Sequence, residues 1–146
     1  MKKILTFIVC ILAIQFSAKA SNDIQITYTQ LPATSQQLIK SHFNEQSIAL
    51  VKMEKEFFDK SYEVIFTNGD KIEFDKKGIW KEIDCKYTQL PQAVVPTQIQ
   101  KFVIKNYPNT KINKIEKENR NRYEVSLTNG LELKFDSKFN LIDIDD

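Results

Sequence analysis

The chain has 146 residues, with 21 Lys and Arg against 19 Asp and Glu, one His and a formal net charge of +2. A balance this close to neutral gives no electrostatic case for nucleic acid or for an anionic membrane surface. Beyond the first 20 residues one His and one Cys remain, which cannot fill a three- or four-ligand zinc site, and no Gly-rich phosphate loop is present.

The N-terminus reads as an export leader. Lys2 and Lys3 precede an apolar run from Ile4 to about Phe16, and Ser17-Ala18-Lys19-Ala20 gives a small-x-small cleavage pattern. The run is shorter than the roughly 20 apolar residues of a spanning helix. Cys10 follows Val9, where acylation expects a small residue. Residues 1–20 are therefore expected to be a signal peptide. The location is then periplasmic or secreted, with no stable membrane insertion after cleavage. The leader takes Lys2, Lys3 and Lys19 of the 21 bases and no acid, leaving 18 bases against 19 acids. Cys85 is then the one remaining thiol, so no internal disulfide can form.

In chain order, Leu38, Ile39 and Phe43 suggest a first helix, with Thr34 and Gln37 at capping-box spacing. Residues 48–58 are strand-like but irregular in period. Residues 62–75 (YEVIFTNGDKIEFD) read as a hairpin, and 79–84 as a further strand. A short linker, about Cys85–Pro96, is stiffened by Pro91 and Pro96. Ile99, Phe102, Val103 and Tyr107 then fall at helical spacing until Pro108, with Thr97 and Gln100 as a second capping box. Residues 111–118 precede a second hairpin, 123–136 (YEVSLTNGLELKFD), and residues 141–145 close the chain.

The two hairpins match at an offset of 61 residues, through Tyr62/Tyr123, Val64/Val125, Thr67/Thr128, Asn68/Asn129, Gly69/Gly130, Phe74/Phe135 and Asp75/Asp136. So ordered a match marks an internal repeat. The apolar alternation also selects the loop. A two-residue Asn-Gly loop mixes buried and exposed faces, whereas Thr67-Asn68-Gly69 pairs Val64 with Ile72 and Tyr62 with Phe74. A type I turn closed by a left-handed glycine is expected at both sites. The expected fold is α+β: two tandem units, residues 21–86 and 87–146, each a helix followed by an antiparallel meander of about four strands, sharing one sheet.

The pattern YEV-x-LTNG-x-ELKFD, preceded by NYPNTKINKIEKE at 106–118 and a Leu-Pro-led helix, resembles the PepSY-like family of bacterial exported proteins. That family is similar in fold to beta-lactamase-inhibitor protein. The resemblance implies a periplasmic or secreted binding or inhibitory module and transfers no catalytic motif. Phe43-Asn44 stands where the second copy has Tyr107-Pro108, so the first helix exit is expected to differ.

No enzyme activity and no cofactor or metal are expected. His42 lacks a motif that would supply an activated nucleophile. Asp75, Asp136 and the tail Asp143-Ile144-Asp145-Asp146 lack the spacing of a calcium loop. The open sheet face remains as the binding candidate, with Glu63, Ile65, Glu73 and Glu82 on it. Trp80 is expected to face outward beside Glu82 if Ile83 is core, and inward if Lys76-Lys77-Gly78 is a three-residue loop that pairs Trp80 with Phe74. The first arrangement is favoured because Ile83 recurs as Ile144. The expected function is an exported binding module for another exported protein or peptide, with inhibition as the form of binding that the resemblance implies. The alternative is a calcium-responsive or structural envelope protein.

Overall fold

The computed structural model describes residues 22–146; the leader, its cleavage pattern and Cys10 lie outside them. The strands are β1 (Asp23–Gln25), β2 (Ile48–Lys55), β3 (Lys60–Phe66), β4 (Lys71–Phe74), β5 (Trp80–Asp84), β6 (Ile112–Glu118), β7 (Arg122–Leu127), β8 (Glu132–Phe135) and β9 (Leu141–Asp145). Helix α1 (Ala33–His42) lies between β1 and β2 in sequence, and α2 (Thr97–Asn106) between β5 and β6. The strands form one nine-stranded antiparallel sheet in the order β1 to β9.

This single sheet overturns the expectation of two tandem helix-plus-meander units. The division between them falls at β5 and β6, and these strands pair directly through Glu82↔Glu116, Ile83↔Ile115 and Asp84↔Lys114. The physical reason is the cost of an edge. A meander stopping at β5 would leave its N–H and C=O groups unpaired beside a buried isoleucine. The first half also has a fifth strand, β1, whose three residues are too few to show an alternation. One continuous core follows: Ile39 of α1 and Ile99 of α2 belong to the same cluster as Val64, Ile72, Phe74, Ile83, Ile115, Val125, Leu133 and Phe135.

Both helices cover the same sheet face. Phe43, just past α1, stacks on Phe66 at 5.4 Å, and Phe102 of α2 meets Phe135 edge-on at 5.4 Å. Each helix buries residues four apart, Ser35 with Ile39 and Ile99 with Val103, which is one face of a helical period. The expected capping boxes do not form. Pro32 and Pro96 occupy the N-caps without a side-chain bond. Instead the Gln36 amide donates to the Leu31 carbonyl at 2.8 Å, and Gln100 donates to the Val95 carbonyl at 2.8 Å.

The hairpin turns are as the repeat requires. Gly69 N–H donates to Phe66 O (3.0 Å) and Phe66 N–H to Asp70 O (2.9 Å); Gly130 and Leu127 do the same in the second half at 2.9 and 2.8 Å. Gly69 and Gly130 have φ of 88° and 93°, the left-handed region where glycine has no steric cost. The registers Tyr62↔Phe74, Val64↔Ile72, Tyr123↔Phe135 and Val125↔Leu133 keep the apolar side chains on the helix face.

Candidate functional site: the open face of the sheet

Strand alternation puts charged residues on the face away from the helices. Glu63, Glu73, Glu82, Glu116 and Glu124 stand in one row across five adjacent strands, each directly opposite the next. The row continues to Lys52 on one side and Lys134 on the other. Like charges directly opposite one another destabilise a sheet, so the row persists only with compensation from lysines.

The lysines supply it by bridging. Lys71 Nζ lies 2.9 Å from Glu73, 3.2 Å from Glu82 and 3.9 Å from Glu63. Lys114 reaches Glu82 at 3.3 Å and Glu116 at 3.7 Å. Lys52 reaches Glu63 at 2.8 Å and Asp23 at 3.5 Å. Lys134 reaches Asp145 at 2.8 Å and Glu124 at 3.7 Å. Burial alone would lower the Lys71 ammonium; Glu73 and Glu82 outweigh it and hold its pKa above the ordinary value. Each exposed pair contributes little alone, and a shared lysine loses its side-chain entropy once for several contacts.

Glu124 is weakly compensated, since its one ion pair, to Lys134, spans 3.7 Å. Burial, and then the charge of Glu132, push its pKa above the ordinary value, while Lys134 pulls it down less strongly. A carboxyl raised in the folded state binds its proton more tightly than in the unfolded chain, so its ionisation opposes folding as the pH rises. Glu124→Gln is therefore expected to raise stability at pH 7. The gain should shrink as the pH falls through the raised range and Glu124 itself becomes neutral. Urea denaturation of both proteins at pH 7 and pH 4 checks the sign; a loss of stability at pH 7 contradicts it.

The structure brings four of the expected site residues together and separates the fifth. Glu63, Glu73 and Glu82 share the Lys71 bridge, and Ile65 lies on the same face opposite Lys71. Trp80 does not face outward. It pairs with Phe74, is half-buried and packs against the core. Gly78 N–H donates to Asp75 O at 2.9 Å and Asp75 N–H to Ile79 O at 2.9 Å, so Lys76-Lys77-Gly78 is a three-residue loop and sends Trp80 inward. A bulge between Trp80 and Glu82 then returns Ile83 to the core. The two arrangements weighed from sequence are thus not exclusive. Lys117 Nζ sits 3.7 Å over the Trp80 ring, and burial lowers the Lys117 pKa; the tryptophan serves packing and a cation–π contact.

Two features were missed in the sequence. Residues 48–58 were read as one strand, but β2 ends at Lys55, and Phe57 and Phe58 stand at the hairpin tip, 101% and 97% exposed. Their signal was the absence of a match: the corresponding tip of the second half is Asn119-Arg120-Asn121. The second feature is Asp70, 6% exposed at the end of the Asn-Gly turn.

His42 is exposed at the end of α1. Burial, and then the charge of Asp70, push the Cys85 thiol up to about 12, which leaves it protonated and non-nucleophilic at neutral pH. Among the described residues no three His, Cys, Asp or Glu side chains are grouped to hold a metal ion. No described helix is long and apolar enough to cross a membrane.

The profile of a family described as "Putative beta-lactamase-inhibitor-like, PepSY-like" matches residues 60–143. The chain belongs to the PepSY-like family. The match spans β3 to β9 and α2, so it covers both hairpins of this PepSY-like chain. Three solved structures, each described as a "putative" periplasmic protein, resemble it. One from Bacteroides vulgatus is 57% identical, covering 87% of this chain and 99% of its own, with a TM-score of 0.82. One from Bacteroides thetaiotaomicron, described as "calcium-regulated", is 58% identical over 85% of this chain and 97% of its own, with a TM-score of 0.81. Another from Bacteroides vulgatus, described as of unknown function, is 38% identical over 85% and 99%, with a TM-score of 0.77. A search of the curated proteins gives no match. The periplasmic or secreted location read from the leader agrees with all three structures.

Proposed function

We propose that this PepSY-like chain is a non-catalytic binding module that meets another exported protein or peptide through the open sheet face. The observation that carries the reading is the row from Glu63 to Glu124, left uncovered by either helix and held half-exposed by bridging lysines. Lysine bridges tie Glu63, Glu73, Glu82, Glu116 and Glu124 to their neighbours, and the excess of acid on the face selects a partner with a basic surface. Charge complementarity of this kind governs approach and specificity more than raw affinity. Inhibition of the partner is the form of binding that the family description suggests. The Phe57-Phe58 tip adds two large apolar side chains that a partner can cover, and aromatic anchors dominate many interfaces.

The test is affinity capture by residues 21–146 from an exported-protein extract, repeated with Glu63→Lys/Glu73→Lys. A partner held by the native chain, weakened by salt and lost with the reversed charges, is the expected result. Equal recovery by both proteins removes the open face from the reading.

A second reading is calcium response, favoured by the description of the Bacteroides thetaiotaomicron structure at 58% identity. A ligand that binds only the native state must raise stability. A melting temperature unchanged at millimolar calcium removes this reading without touching the first.

A further inference from the structure

We propose that the open cavity beside the β6–β7 turn is a binding site for a multiply charged oxyanion of the phosphate or sulfate class. It is independent of the partner proposed for the open face. Its volume is about 620 Å³, and Lys81, Lys117, Arg120 and Arg122 line it together with Glu116 and Glu118. Four bases thus meet two acids, and Glu116 is already bridged by Lys114 at 3.7 Å.

The state of these cations sets them apart from the lysines of the open face. Lys52, Lys71, Lys114 and Lys134 all bridge carboxylates. Among the described residues Lys81, Lys117, Arg120 and Arg122 make no ion pair. Lys117 matters most, because it is half-buried with its ammonium 3.7 Å over the Trp80 ring. Burial lowers its pKa against a weaker pull from Asp75. A cation drawn out of water without a counter-charge is costly, and the ring offsets only part of that cost. An anion in the cavity supplies the missing charge.

The internal repeat shows that the fold does not require these charges. Tyr123, opposite Lys117, matches Tyr62, and the residue opposite Tyr62 is Met53, packed against the core. The first tip carries Glu56 and Asp59 where the second carries Asn119-Arg120-Asn121. Arg120 stands at φ 63°, a conformation that favours Gly or Asn, so the turn does not call for arginine either. The side chains select the ligand. Guanidinium groups present fixed forks of N–H donors that match the oxygens of phosphate or sulfate, and the lysines add point charges. The oxyanion can be free in solution or the headgroup of a lipid, both offering the same chemistry.

Calorimetric titration of the folded protein with pyrophosphate, against potassium chloride at matched ionic strength, tests the site. Trp80 fluorescence locates it, since Trp80 is the one tryptophan of the chain. Flotation with phosphatidylcholine vesicles, with and without phosphatidic acid, separates a lipid source from a soluble one. The expected result is saturable binding of pyrophosphate or of phosphatidic-acid vesicles, with a change in Trp80 emission that chloride does not reproduce. Arg120→Asn/Arg122→Gln alters two exposed positions. It should leave the urea midpoint unchanged and weaken binding by about tenfold or more. Lys117→Met, the residue of the first half, should weaken binding and leave the chain at least as stable. No saturable binding of either probe overturns the proposal, as does binding that chloride reproduces or that survives the double variant. A loss of stability in Lys117→Met with binding unchanged makes the ammonium structural and also overturns it.

Discussion

Phe74→Ala is expected to lower the unfolding free energy by about 3–5 kcal/mol, the range for truncating a fully buried aromatic. Phe74 is 0% exposed and lies on the helix face of β4 between Tyr62 and Trp80. Its loss removes the ring and leaves a hole that neighbours on paired strands cannot close without breaking register. Phe135, its mate in the repeat, is also 0% exposed and meets Phe102 of α2 edge-on. The two truncations should therefore cost similar amounts. Because both halves share one core, each should shift a single cooperative transition. Urea denaturation followed by far-UV dichroism and by Trp80 fluorescence reads this directly. Separate midpoints for the two probes would contradict the single core.

Gly78→Ala is the second large effect, about 2–4 kcal/mol, and its cause differs from that of an ordinary turn glycine. Gly78 has φ 81°, and the left-handed region alone costs a side chain roughly 1–2 kcal/mol. A Cβ there would also lie 2.6 Å from Pro32 Cβ, 2.6 Å from Ser35 Oγ and 3.1 Å from Ser35 N. Overpacking of this kind adds about 1–3 kcal/mol. The first turn of α1 sits directly on the β4–β5 loop, where the Ser35 hydroxyl donates to the Gly78 carbonyl at 3.1 Å. Two internal controls separate the causes. Phe139 holds the corresponding position of the second half at φ 65°, so the conformation alone is tolerated there. Gly130 has φ 93° but nothing within 4 Å of a Cβ; Gly130→Ala should cost only the backbone part, about 1–2 kcal/mol. Equal losses at 78 and 130 would remove the helix-docking argument.

Much of this was legible in the residues because register is a property of alternation. Val64, Ile72, Val125 and Leu133 could be paired before any coordinates, since a one-residue slip exposes them all. The glycines of the Asn-Gly turns followed from the same count. A shared sheet was expected, but which strands join the halves was not legible. Nothing in Trp80–Asp84 or Ile112–Glu118 names the partner of either strand, and only the cost of an unsatisfied edge decides it. Trp80 failed for a different reason. A bulge adds one residue to a strand and reverses the facing of everything beyond it, leaving no mark in composition. The acidic row was half visible: Glu63, Glu73 and Glu82 were placed on one face. The lysine bridges needed the neighbouring strands, because Lys71 meets Glu82 and Glu63 only across paired backbones. Asp70 was hidden by its setting, an acid beside Asn-Gly, where acids are common in turns.

The strand order, unbroken from β1 to β9, has a kinetic consequence. No strand waits for a partner far away in the chain; the longest intervals between paired neighbours are those bridged by α1 and α2. The entropy of loop closure is then spent in small instalments, and chains rich in local pairings fold fast. A protein that leaves its export channel amino end first can add each strand to the growing sheet edge as it emerges. Except at β1 and β5, which wait for α1 and α2 to pass, each intermediate edge is covered by the next few residues to appear, so the interval in which a bare β-edge could find a foreign chain is short.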